Sequence, residues 1–422
     1  MTTPRLARRG RTALALALLA LHGPLAGCGG LLDVTNPNSV QEDDLANPAL
    51  AQALVTSALG QFECAYASYV ASTGVLAGEY VNASGWLDIN GWGWRGVELY
   101  QITGGCPTNR DATGLGAYTP LQQARYLAES AAERIASYPA DQVQRRDERL
   151  GLLAAYAGYA TLLLGEGFCE MAFDQGPLLQ PRAVLARAES LFTRAIQHAQ
   201  AANNAPLRHL ATTGRARARL DQGNLAGAAA DAEQVPAGFV WNAEYSTVDP
   251  RRENRVFNLN RRNRWLSVNP AYADLTVGSA ADPRVAITNS NQVGHDGTTR
   301  HWFQNKYTTA ASPIPMASWR EAQLILAEAR PAEAVAAINR VRASQGLAAL
   351  QPAAGDAPLA LVLEERRRQL FSEGHRLNDM LRHRLPFPAG NNHKGQAYGP
   401  ITCMPLPDQE RLNNPNIGPR NS

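Results

Sequence analysis

The chain has 422 residues, of which 40 are Lys or Arg and 37 are Asp or Glu, for a formal charge of +3. Arg5, Arg8, Arg9 and Arg11 lie in the first 27 residues, which hold no acid, so the remainder carries 36 basic and 37 acidic side chains. A near-neutral chain of this length, 45% hydrophobic, can bury one large core or two, and it lacks the overall basic excess of a nucleic-acid-binding protein. The local cluster Arg251, Arg252, Arg255, Arg261, Arg262 and Arg264 reads as a solvated or ion-paired face.

Residues 5–28, "RLARRGRTALALALLALHGPLAGC", have a basic start, an apolar run from Ala13 to Leu21 and a cysteine after two small residues. The run is shorter than the roughly 20 residues a spanning helix needs, so it reads as an export signal over residues 1–27. Leu25, Ala26, Gly27 and Cys28 resemble a bacterial lipobox, in which the Cys28 sulfur is lipidated and becomes the mature N-terminus. Each buried methylene adds about 0.8 kcal/mol, so two or more acyl chains hold a folded domain at a membrane.

A helix is expected from near Asn47 and Pro48, with Leu50, Leu54, Ala58 and Phe62 on one face. A loop-rich stretch follows over about 74–119. Helical periodicity returns in "LQQARYLAESAAERIASYP" and "RDERLGLLAAYAGYATLLLGEGF", then in "LARAESLFTRAIQHAQAA" and "PLRHLATTGRARARLDQGNLAGAAADAEQVP", so that paired helices cover about 120–235. Small residues (Ala186, Ala195, Ala216, Ala218, Ala228) recur where helices must approach closely, and "LDQGNLAGAAADA" has the turn and alanine spacing of a tetratricopeptide unit. Periodicity fades over about 236–315, a second loop-rich segment, and resumes over about 316–385. A C-terminal segment, 386–422, closes a mostly α chain.

Within the first loop-rich stretch, "GWLDINGWGWRG" concentrates Trp86, Trp92 and Trp94, three of the seven tryptophans. Gly91, Gly93 and Gly96 have the spacing of a dinucleotide-binding loop, but the alternation of "VELYQ" that follows argues strand where a phosphate site requires a helix. Read as extended, the segment puts Trp92 and Trp94 on one side and Arg95 on the other. Tryptophan offers a flat face to the apolar side of a sugar or to an aromatic side chain, and an indole N–H donor. Trp86, Trp92 and Trp94, helped by Asn82, Asp88, Asn90 and Arg95, are therefore the candidate ligand contacts. The competing reading is a hydrophobic plug that seats the loop, which would move the site to Trp241, Trp265 or Trp302.

Cys64, Cys106, Cys169 and Cys403 allow three disulfide pairings, among which sequence does not choose; Cys64 with Cys106 and Cys169 with Cys403 is the preferred one. None forms C-x-x-C. No G-x-S-x-G, H-E-x-x-H, G-x-x-x-x-G-K-[ST] or EF-hand pattern occurs, so neither a catalytic residue nor a cofactor is expected. His295, Asp296 and His301 share a polar loop but do not supply the convergent ligands of a metal site. His375 and His383 fall two turns apart on one predicted helix. Asp88 and Glu98 are the only carboxylates near the tryptophans, which leaves an exported glycan hydrolase as one alternative and a protein-interaction scaffold as another.

Four stretches together resemble the SusD/RagB family of outer-membrane, nutrient-binding lipoproteins: "LLDVTNP" after the cysteine, "WREAQLILAEA", "EERRRQLFSEGHRLNDMLR" as its C-terminal helix, and "MPLPDQERLNNPNI" at the close. Their order and spacing span essentially the whole chain after Cys28. The resemblance implies one SusD-like domain over 28–422, a right-handed scaffold of about four tetratricopeptide-like pairs, and long loops forming the ligand face. It also implies a glycan or peptide ligand and a TonB-dependent outer-membrane transporter as partner. In the C-terminal stretch, Glu364, Glu365, Arg366, Arg367 and Arg368 suit i,i+3 and i,i+4 ion pairs rather than acid–base chemistry.

Overall fold

The computed structural model describes residues 46–417; the leader, Cys28 and "LLDVTNP" lie outside the described residues. Its helices in chain order are α1 (Ala51–Leu76), the short α2 (Leu87–Gly93) and α3 (Leu99–Thr103), α4 (Tyr118–Ser137), α5 (Arg146–Gly167), α6 (Pro181–Ala201), α7 (Ala205–Asp221), α8 (Leu225–Ala232), α9 (Trp319–Ala329), α10 (Ala334–Ala343), α11 (Pro358–Gln369), α12 (Arg376–Arg382) and α13 (Asp408–Asn413). Four pairs make the scaffold: α1 with α4, α5 with α6, α7 with α8, and α9 with α10. One helix of each pair, α1, α5, α7 and α9 in turn, also packs on its neighbour in the series, which is how tetratricopeptide-like units stack.

Side-chain size dictates this packing. Helix α5 is apolar around its circumference and every residue from Leu153 to Phe168 is buried, as the central helix of a stack must be. The Phe192 ring of α6 wedges between Gly158 of α5 and Gly214 of α7, where a Cβ would come within 2.8 and 2.4 Å of it. Ala195, Ala216, Ala218 and Ala228 are fully buried, whereas Ala186 faces outward and Ala188 takes the close-packed position instead. On α1 the buried stripe is Ala51, Val55, Ala58 and Phe62, with Leu50 and Leu54 at its edge. The cysteines pair as Cys64–Cys106 and Cys169–Cys403. The second bond ties the end of α5 to the C-terminal segment, where Met404 N–H donates to Gly167 O at 2.9 Å.

Strands are short and two-stranded: β1 (Tyr80–Asn82), β2 (Val240–Ala243), β3 (Leu266–Val268), β4 (Thr276–Val277), β5 (Ala280–Ala281), β6 (Ile287–Val293), β7 (Arg300–Gln304) and β8 (Ile314–Ser318) pair as β1/β3, β2/β8, β4/β5 and β6/β7. Three expectations are corrected. The stretch "VELYQ", read as strand, runs into the short helix α3, whose start is fixed by the reciprocal Glu98–Gln101 capping bonds. "LDINGWG" is helical, not extended, so Trp92 and Trp94 do not share a face. The stretch "EERRRQLFSEGHRLNDMLR" is two helices, interrupted at Leu370–His375 where Ser372 (φ 60°) and Gly374 (φ 84°) are left-handed. The local ion pairs there are Glu364 with Arg367 and Arg368, and Asp379 with Arg382; Glu365 instead bonds Arg284 and Arg342 from other elements, and Arg366 pairs with Asp379 across the break.

The break is fastened by buried groups. Tyr80 and Ser372 share a hydroxyl–hydroxyl bond of 2.6 Å, Tyr307 donates to Ser372 O at 2.9 Å, Tyr66 donates to Glu373 O at 3.0 Å, and Ser372 N–H donates to Glu79 Oε1 at 3.1 Å. Burial pushes the Glu79 carboxyl up to about 7, against the pull of the Ser372 N–H, Arg376 and Lys306, and its Oε2 has no hydrogen-bond partner. A carboxyl whose folded pKa is raised binds its proton more tightly when folded, so its contribution to stability falls as pH rises from about 4.5 through about 7. Glu79→Gln should therefore stabilise the protein at pH 8 by up to about 3 kcal/mol, with the gain vanishing toward acid pH. Urea unfolding of both proteins at alkaline and acid pH checks this; a gain independent of pH would show that the charge is not the cause.

Candidate functional site

The site is assembled where three segments distant in sequence meet. The first leaves β1, whose pairing with β3 (Asn82 opposite Leu266) is extended by Ala83 N–H to Trp265 O at 2.8 Å. Asn82 Oδ1 then accepts the Ser84 N–H at 2.8 Å and Ser84 Oγ accepts the Trp86 N–H at 2.9 Å, two successive side-chain turns that set Trp86 at the start of α2. The second segment is the tip of the β6–β7 hairpin, "GHDGTT". Asp296 Oδ1 accepts the backbone N–H groups of Thr298 and Thr299 at 3.0 and 2.9 Å, and Gly297 takes the left-handed conformation (φ 73°) that the Asp-Gly turn requires.

The tip docks on the first segment through Asp296 N–H to Ala83 O (3.0 Å) and His295 N–H to Arg264 O (3.1 Å). This approach needs Gly294, where a Cβ would stand 2.5 Å from both Ala83 Cβ and Ala83 O. The third segment, from the C-terminal region, contributes Lys394, whose ammonium donates to Asp296 Oδ2 (2.7 Å) and Ser84 O (2.8 Å), and His393, whose Nε2 lies 2.9 Å from Asn82 O. Burial opposes ionisation of Asp296, but the hydrogen bonds from Lys394, Thr299 and the Thr298 N–H outweigh it and hold the carboxyl well below its usual range. Burial and the adjacent Lys394 lower the His393 pKa, so that ring is neutral at pH 7.

The outer surface of this assembly is aromatic. Trp86 is 45% exposed and stacks on the exposed His295 ring at 5.4 Å and 16°, and both rings meet the buried Trp265 edge-on at 6.3 and 6.2 Å. Beside the stack opens a recess of about 650 Å³ bordered by Gly85, Asn90, Asp296, Arg300 and Lys394. On the far side of Arg300 lies a second, of about 760 Å³, with Arg264, Asn289, Asn291 and Gln292 on its wall. An open aromatic face beside clefts lined by amides, hydroxyls and cations can stack a flat ligand and hydrogen-bond its rim.

The tryptophan segment therefore divides. Trp86 is displayed and Asn90 borders the recess, but Trp92 is fully buried with Ile89, because α2 turns both inward at i,i+3. Trp92 cannot touch a ligand, and the plug reading holds for it. Trp94 is half-buried with its ring folded back on Gly96, where a Cβ would overlap it. Arg95, expected at the ligand, is buried: its guanidinium donates to Pro388 O at 2.7 Å and lies 5.4 and 5.1 Å from the Phe387 and Tyr398 ring centroids. Asp88 is half-buried and accepts the Thr113 hydroxyl at 2.7 Å, while Glu98 opens α3. His301 is buried against Leu266 O and does not join His295. Among the described residues no group of three or more His, Cys, Asp or Glu converges on a metal position. Sequence reasoning missed His295 as an aromatic partner, Arg300, His393 and Lys394; the only local signal was the Asp-Gly hairpin turn.

The helical pairs with this loop-built face have the SusD fold. The chain superposes on a SusD-like carbohydrate binding protein from Bacteroides vulgatus with a TM-score of 0.65 at 13% identity, covering 88% of this chain and 97% of that one. It superposes on a laminarin binding SusD-like protein at 0.63 and 17%, covering 88% and 98%. Surface glycan-binding protein A from Bacteroides thetaiotaomicron in complex with laminarihexaose matches at 0.64 and 12%, covering 87% and 98%. At these identities what is shared is the fold, and it is the one the C-terminal motifs led us to expect. No protein-family model and no curated protein sequence matches the chain.

If Gly294 is what lets the hairpin tip seat on Ala83, Gly294→Val should raise amide exchange at residues 294–299 many-fold while the scaffold helices keep their protection. Unchanged protection of the tip in the variant would mean that the docking does not depend on the missing Cβ.

Proposed function

We propose that this protein is a SusD-like nutrient-binding lipoprotein that holds a glycan on the Trp86–His295 stack and passes it to a TonB-dependent outer-membrane transporter. The observation that carries the reading is the exposed Trp86 ring, held in place from below by Trp265 and from the side by the hairpin tip, next to polar recesses. Pyranose rings present an apolar face of axial C–H groups to indole and equatorial hydroxyls to amides and carboxylates. That a carbohydrate binding protein, a laminarin binding protein and a glycan-binding protein in complex with laminarihexaose have this fold supports a glycan over a peptide. We assign the site no catalytic step.

Trp86→Ala should lower oligosaccharide affinity about five- to tenfold, which corresponds to about 1–1.4 kcal/mol for a stacked aromatic contact, with little loss of stability. Calorimetry or intrinsic fluorescence with a panel of oligosaccharides checks this, and a variant that keeps full affinity rejects the platform. Turnover of any of those sugars by the purified protein would replace binding by catalysis.

Membrane attachment is proposed to reside in Cys28, within "LAGC" after the leader. Cys28→Ser should move the protein from the membrane fraction to the soluble fraction without altering glycan affinity. Wild-type protein already in the soluble fraction would remove the anchor from the proposal.

A further inference from the structure

Resting on the reading that this face binds carbohydrate, we infer that the carbohydrate is anionic, its uronate carboxylate or sulfate ester meeting the guanidinium groups of Arg300 and Arg264 beside the aromatic stack. Arg300 opens β7 opposite Val293, is exposed, and its guanidinium makes no hydrogen bond or ion pair among the described residues. It borders both recesses, so it stands between the Trp86–His295 side and the second cleft. Arg264 is held at the same place because its carbonyl receives the His295 N–H, and among the described residues its guanidinium bonds only the neutral Gln292 amide.

Neighbouring arginines are engaged inside the protein: Arg251, Arg255 and Arg261 donate to side-chain amide or backbone oxygens of Gln61, Ala112, Gly114, Gln304 and Asn305, and others pair with carboxylates. Arg252 pairs with Glu63, Arg262 and Arg110 with Glu253, and Arg284 with Asp282 and Glu365. The second recess has no carboxylate in its lining. The first has one, Asp296, whose two oxygens are already taken by the Thr298 and Thr299 N–H groups, the Thr299 hydroxyl and Lys394. Asp296 thus cancels Lys394 and leaves Arg300 and Arg264 uncompensated, in a chain whose part beyond residue 27 is close to neutral. A neutral sugar leaves two guanidinium groups without a counter-charge. A carboxylate or sulfate offers paired oxygens that match the guanidinium fork, in a setting where the flanking Asn and Gln amides bond the sugar hydroxyls.

The test is binding of three probes by the full chain: oligogalacturonides for the carboxylate, chondroitin sulfate oligosaccharides for the sulfate, and laminarin oligosaccharides as the neutral sugar. The expected result is that at least one acidic probe binds about tenfold or more tightly than the neutral one, and weakens as ionic strength rises. Arg300→Gln and Arg264→Gln should each reduce acidic affinity about fivefold more than neutral affinity, and Arg300→Lys should recover part of the loss. Which acidic probe responds identifies the anion. Equal affinity for neutral and acidic probes, or Gln variants that weaken all probes alike, overturns the anionic assignment while a dependence on Trp86 keeps the glycan platform. Absence of binding by every probe, or binding indifferent to Trp86→Ala, overturns both.

Discussion

The buried break between α11 and α12 is the point on which the arrangement depends. A helix broken at Ser372 and Glu373 exposes backbone groups that the interior cannot leave unpaired, and they are met by Tyr66 from α1, Glu79 just before β1 and Tyr307 just after β7, while Tyr80 bonds the Ser372 hydroxyl. The same Tyr66 hydroxyl also reaches Pro315 O of β8 at 2.8 Å. Tyr80 stands two residues before Asn82, and Tyr307 three residues after the end of β7, so both strands that carry the proposed ligand face leave from one fixed locus. Hydrogen bonds of this kind each contribute about 1 kcal/mol net, but a partner left unsatisfied inside costs more, which makes the cluster cooperative.

Charged groups fix the register of the stacked helices around that locus. Arg217 of α7 forms a bidentate pair with Glu166 of α5, lies 3.7 Å from Glu321 of α9 and 3.4 Å from the His375 ring. Burial, with Arg217, Arg366 and Lys306 nearby, pushes His375 well down, so its ring is neutral at pH 7. Glu328 of α9 takes Arg382 of α12 and His383 just after it, and Arg382 also reaches Asp221 at the end of α7. Burying charges is costly and would not by itself favour this fold over an apolar core. What such pairs enforce is alignment: a helix slipped by one residue strands a charge in the interior, so α5, α7, α9 and α12 have a single compatible arrangement.

Much of the scaffold was legible because it is written in local periodicity. The helical segments of residues 121–139, 185–202 and 316–347 repeat apolar residues at helical spacing, and the alanines at 195, 216, 218 and 228 mark close approaches. The break at Ser372 was not legible, because apart from Gly374 "EERRRQLFSEGHRLNDMLR" favours helix and the groups that hold it open lie 65 to 307 residues away. For the proposed ligand face, aromatic density pointed to a segment but could not tell its buried members from its exposed ones. Ile89 and Trp92 have the i,i+3 spacing of a buried helical edge, but seven residues between glycines are too short for that period to outweigh the alternation read after them.

The partition of that segment follows from what each residue can reach. Trp92 seats α2 by filling the core, and Arg95, though charged, is spent on Pro388 O and two aromatic rings, which lock the segment to the C-terminal region. In the same place Gly399 N–H donates to Trp94 O and Ile401 N–H to Arg95 O, so backbone pairing reinforces the clamp. With one tryptophan and one arginine used as anchors, Trp86 can stand 45% exposed without collapsing onto the surface, because the Ser84 hydroxyl holds its backbone and His295 and Trp265 its ring. A displayed ring that keeps its orientation before a ligand arrives loses little conformational entropy on binding. The buried half of the aromatic cluster is therefore what makes the exposed half usable, and the plug and the platform are two parts of one device.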